Sequence, residues 1–141
     1  MNWQQIATDR LKQYDAVLHA RENLGGEITR IRSMLENPGG QRLDVKVSSA
    51  GSHEDWLLKN MVELGELEQR RELTQLWLEA TNRALAALSP EEKLVLHRLF
   101  IQQGKNNLER LCDELGVESS SVYRRRDAAL RHFTQALYGP M

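Results

Sequence analysis

Four arginines, Arg124, Arg125, Arg126 and Arg131, stand close together near the C-terminus, just behind Ser119, Ser120, Ser121 and Tyr123. A guanidinium bonds phosphate oxygens, or guanine O6 and N7 together, and serine hydroxyls serve phosphate or base edges. Between Ser119 and His132 these four arginines are opposed by Asp127 alone, a local excess of positive charge in a chain whose formal net charge is -1. Attraction to phosphate is screened beyond about 10 Å at moderate salt, so the patch matters more than the total. The chemistry implied is recognition of duplex DNA. A solvated basic helix face is the rival account of the same residues.

Bond-making chemistry has little to stand on. The four histidines, His19, His53, His97 and His132, are too dispersed for a two-histidine zinc helix, so no catalytic metal or cofactor is expected. No phosphate-binding glycine loop, dinucleotide fingerprint or nucleophile elbow is present. Cys112 is the single cysteine, which excludes an intrachain disulfide. Lying between Leu111 and Asp113, it reads as a small packing residue. The chain is therefore expected not to be an enzyme. No run approaches the roughly 18 apolar residues of a membrane span, and Met1–Gln5 does not open a secretory signal, so a cytoplasmic protein without membrane association is expected.

The elements that position the arginines follow from punctuation. Ser89, Pro90 and Glu92 form a capping box with proline in the first turn. Gly104 ends that helix. Asn106 with Glu109 repeats a start signal, and Gly116 closes a helix of nine residues or so. A third helix, about 119–137, follows. With Val122 at zero and about 100° per residue, Ala129 and Phe133 fall within about 20° of it, while Ser120, Arg131 and Arg124 lie near 160°, 180° and 200°. Val122, Ala129 and Phe133 thus face a core shared with Leu108, Leu111 and Leu115. The polar face points outward. Arg125, near 300°, is placed to cover the core edge with its stem while its head reaches solvent.

Upstream, Trp3, Ala7, Arg10, Tyr14, Val17, Arg21, Leu24, Ile28, Ile31 and Leu35 trace the seam of a helix over about 3–36; Gly25 and Gly26 interrupt it and leave a kink or two helices open there, while the stripe's unbroken phase favours one helix. Asn37, Pro38 and Gly39 end it, and 37–52 reads as a loop in which a short strand at Val45–Val47 would lack a partner. Helical spacing resumes over about 53–88 through Leu57, Met61, Leu64, Leu67, Leu73, Leu76, Trp77, Ala80, Ala84, Leu85 and Leu88. Trp56 and Trp77 are expected to anchor an antiparallel hairpin. The fold class is all-α: a long helical hairpin over 1–88, then a three-helix unit over 89–141.

The run LSPEEKLVLHRLF followed by LERLCDELGVESSSVYRRRDAALRHF resembles region 4 of bacterial sigma-70-type factors, a helix-turn-helix that reads the -35 promoter element. The likeness spans Leu88 to Phe133. The whole plan is similar to small phage and prophage regulators of late transcription, which join a helical hairpin to a sigma-like domain. The resemblance implies that Ser119, Ser120, Ser121, Tyr123 and Arg124 contact DNA, with Arg124 at a base edge, and that Arg126 and Arg131 meet phosphates. Arg125 stands where the sigma pattern is usually aliphatic, and Arg126 where it is usually acidic. The expected function is a sequence-specific transcriptional regulator of phage type, with double-stranded DNA as partner. RNA polymerase is a further candidate partner, and the hairpin offers a surface for a homodimer. Two other functions fit the same residues: a helical adaptor or polymerase-binding protein without DNA readout, and the DNA-recognition subunit of a phage packaging machine.

Overall fold

The computed structural model describes residues 2–37, 52–102 and 104–140. The loop expected over 37–52, apart from its first and last residues, and the strand weighed at Val45–Val47 lie outside them. The protein is all-helical. Its helices are α1 (Trp3–Lys12), α2 (Tyr14–Glu36), α3 (Ser52–Ala86), α4 (Pro90–Leu96), continued by a π-helical turn over His97–Ile101, α5 (Asn107–Leu115) and α6 (Ser119–Tyr138). No described helix is long and apolar enough to cross a membrane.

The first long helix departs from expectation in where it is interrupted. Gly25 and Gly26 lie inside α2, whereas the break falls at Gln13, whose ψ of -9° is well short of a helical value. The ladder runs on across it, since Gln13 N–H donates to Asp9 O at 3.1 Å and Val17 N–H to Gln13 O at 2.9 Å. Gly25 is tolerated because the Arg71 guanidinium of α3 lies where a side chain would go: a Cβ there would sit 3.3 Å from Arg71 Nε.

The chain forms two compact units, Met1–Val17 with Trp77–Met141, and Leu18–Leu76. In the second, α2 and α3 run antiparallel, tied by Arg21 Nη1 to Gln75 Oε1 at 3.1 Å and Arg32 Nη2 to Glu68 Oε1 at 2.7 Å. Ile28 and Ile31 are buried there. The seam expected along α3 holds only in part. Leu57, Leu64 and Leu67 are half-buried, whereas Met61, Leu73 and Leu76 are exposed. Two helices can each bury only one face, and these three lie off the face turned to α2.

The first unit is larger than the 89–141 segment that the sequence marks off, and the reason is a second core. Val95, Leu111 and Val122 form the small core of the three-helix unit, flanked by Leu108, Leu115 and Val117. The other side of α4 and α6 presents Leu96, Ala129, Leu130 and Phe133, which are sealed by Ala7 and Leu11 of α1 and by Ala84 and Leu88 around the end of α3. Fully burying a side chain such as Leu11 or Phe133 contributes about 1.5–3 kcal/mol, enough to draw α1 and the end of α3 onto the motif. Arg10, a polar position in the expected apolar seam, is satisfied inside this unit. Its Nε donates to Thr81 Oγ1 at 2.8 Å, its Nη2 to Trp77 O at 3.2 Å, and its guanidinium lies 4.6 Å from the centre of the Trp77 ring.

Candidate nucleic-acid interface

The turn between α5 and α6 sets the direction of the candidate recognition helix. Gly116 takes φ 66°, a left-handed conformation, and Val117 N–H reaches back to Cys112 O at 3.1 Å, which ends α5 abruptly. Glu118 caps α6 with extended backbone and no side-chain bond. At the other end of α5, Asn106 does not act as the side-chain cap that its spacing to Glu109 suggests. It adopts φ 64° and makes no capping bond, while Asn107 Nδ2 donates to Gln102 O at 2.6 Å. Asparagine is among the residues that tolerate the left-handed region, and here it reverses the chain rather than capping it.

Along α6 the two faces are sharply divided. Val122, Ala129, Leu130 and Phe133 are buried, and Ser119, Ser120, Tyr123, Arg124 and Arg131 are exposed. Arg124 makes no hydrogen bond or ion pair with a described residue. Ser121 is half-buried, its Oγ taken up by Arg125 Nε at 3.2 Å. It is turned toward the neighbouring side chain rather than outward with Ser119 and Ser120.

The remaining arginines differ from one another in ways their spacing does not reveal. Arg125 is half-buried and its Nη1 bonds the Glu91 carboxylate, so its stem covers the core edge and its charge is met by α4. Arg126 pairs with Asp127 at 2.9 Å and lies 5.0 Å from the centre of the Tyr123 ring. Arg131 sits 5.7 Å from the centre of the Trp3 ring, a contact contributed by the N-terminal helix. The uniform basic run of the sequence thus reduces to Arg124, near the start of α6, and Arg131, about 10 Å further along at 1.5 Å per residue. Sequence reasoning set Asp127 against the arginines but missed Glu91 and Trp3 as their neighbours. Those two come from other helices, so no local signal could have found them.

Behind this face, Ser89 and Glu92 form the expected reciprocal cap: Glu92 N–H donates to Ser89 Oγ at 3.2 Å and Ser89 N–H to Glu92 Oε1 at 3.1 Å. His132 Nδ1 of α6 bonds the other oxygen of Glu92. Partial burial pushes the Glu92 carboxyl up, but the bonds from His132 and Ser89 outweigh it and hold it below the ordinary carboxylate value. Glu92 therefore serves both as helix cap and as tie to α6. Among the described residues no three His, Cys, Asp or Glu side chains converge as metal ligands. Comparison of the chain with protein-family models, with curated proteins and with solved structures yields no match.

Proposed function

We propose that this chain is a sequence-specific DNA-binding transcriptional regulator of phage type, acting in the cytoplasm, with α6 lying in the major groove of duplex DNA. The observation that carries the reading is the division of α6. Its buried face is locked into a helix-turn-helix core, and the first turns of its outer face carry exposed Ser119, Ser120, Tyr123 and Arg124. In such motifs the N-terminal residues of the second helix meet base edges. Arg124 supplies the fork for a guanine, and Arg131, farther along the helix, meets phosphate. The charges of Arg125 and Arg126 are offset by Glu91 and Asp127, so these two add less to affinity than a count of arginines suggests.

Affinity for duplex DNA, measured against salt concentration, tests this. Each guanidinium that neutralises a phosphate contributes about -0.9 to the slope of log K against log salt. Absence of binding at low salt would defeat the proposal.

One observation favours a second reading, a helical adaptor that binds RNA polymerase or another protein without reading DNA. The segment from α5 into the turn carries exposed Glu109, Asp113 and Glu118 against Arg110, a surface that phosphates repel, while Glu114 is met by Arg98 at 3.0 Å. Capture of the polymerase by a protein with no affinity for duplex would select this reading.

A further inference from the structure

Arg131 is held by a ring and by no oxygen. It makes no hydrogen bond or ion pair with a described residue, and its guanidinium lies 5.7 Å from the centre of the Trp3 ring. Asp127, one turn before it on α6, is taken up by Arg126 at 2.9 Å. An arginine laid on an aromatic ring uses its flat face there and keeps its N–H edges for oxygen acceptors. The same chain does this at Arg10, which lies 4.6 Å from the centre of the Trp77 ring and still donates through Nε to Thr81 Oγ1 and through Nη2 to Trp77 O. At Arg131 no described residue takes those donors, so the fork is open to a ligand.

Trp3 is itself fixed in place. Asn2 Oδ1 accepts from Gln5 N–H at 2.8 Å and starts α1. Trp3, Ala7 and Leu11 recur every four residues and so share one face of that helix. Ala7 and Leu11 are buried against α6, and Trp3 packs at the edge of the same core with part of its ring still exposed. The ring is a shelf beside α6, within one compact unit. Around the axis of α6, Arg131 and Arg124 fall within about 20° of each other. A straight helix leaves the curving major groove beyond its first turns, so a long cation farther along the same line meets the phosphates of the groove wall. An arginine gripping a phosphate loses rotamer freedom. One already laid on a ring loses less.

We infer that Trp3 is a positioning residue for DNA binding: its ring holds the Arg131 guanidinium ready for a backbone phosphate, which makes the first helix of the chain part of the nucleic-acid interface. The inference rests on the DNA-binding reading above. Its test follows the fluorescence anisotropy of a labelled mixed-sequence duplex titrated with the full chain, at temperatures below the melting transition of every variant. W3L keeps apolar bulk at the core edge without a ring, and W3F keeps both bulk and ring. W3L should weaken binding about two- to fivefold, the range that a cation–π contact supplies, while W3F binds close to the parent. In an R131A background W3L should bring no further loss, because Trp3 acts through Arg131, whereas a general loss of packing would add to R131A. A parent chain that binds no duplex defeats the DNA-binding reading and this inference together. A parent that binds, with W3L and W3F alike or with W3L as damaging in R131A as in the parent, overturns the inference and leaves DNA binding standing.

Discussion

The Arg131 guanidinium lies 5.7 Å from the centre of the Trp3 ring, which joins the far end of the candidate recognition helix to the first helix of the chain. The two residues are 128 positions apart, and the contact follows from α1 sealing the second core with Ala7 and Leu11. Trp3→Ala should lower stability through lost aromatic packing, with about 0.5–1 kcal/mol of that from the cation–π contact. Arg131→Ala should weaken binding to all duplexes alike and make the salt slope shallower by about 0.9. Thermal melts and anisotropy titrations of both variants check this. A change in sequence preference for Arg131→Ala would contradict its assignment to phosphate.

Arg124 and Arg125 are neighbours with opposite expectations. Arg124→Ala should reduce discrimination between the preferred site and a variant by about 1–3 kcal/mol, the worth of a bidentate guanine contact. Arg125→Met keeps the stem against the core edge and removes only the pair with Glu91, so stability should change by about 1 kcal/mol or less. Its DNA affinity should stay near that of the parent. Competition binding with a substituted-site library separates the two. Equal effects would show that the outer face of α6 is not the reading face.

Glu92 supplies a pH dependence. Its carboxyl is held below the ordinary carboxylate value in the folded chain, so over that range the unfolded chain binds the proton more tightly. Its contribution is complete above the unfolded value, about 4.3, and is lost as pH falls from there through the folded value. Glu92→Gln keeps the cap, since glutamine also serves at that position, and loses the charge that His132 meets, so it should cost about 1 kcal/mol or less at neutral pH and should flatten the acid limb of the stability curve. Urea titrations across that range measure both.

Gly116 takes a positive φ that a Cβ disfavours, although nothing lies within 4 Å of where that Cβ would be. Gly116→Ala should therefore destabilise by about 1–2 kcal/mol through backbone strain alone. Gly116→Asn should cost less, because asparagine visits this region more readily. Equal losses in denaturant melts would point to a packing effect instead.

Where the motif helices lie was legible in the chain because caps and stops act locally. Ser89, Pro90 and Glu92 start α4, Gly116 stops α5, and the spacing of Val122, Ala129 and Phe133 orients α6 without reference to any other element. The inward path of Arg10 and Arg21 was legible only as a phase. Their acceptors, Thr81 and Gln75, belong to a helix more than fifty residues away. Tertiary packing alone decided that α1 and the end of α3 complete the core beneath the motif, since a face of Leu130 and Phe133 states that it must be covered but not by what. It also decided which arginines are met by other side chains. A run of like residues looks equivalent in one dimension, and only the placement of Glu91 and Trp3, brought in from other helices, makes Arg124, Arg125 and Arg131 differ.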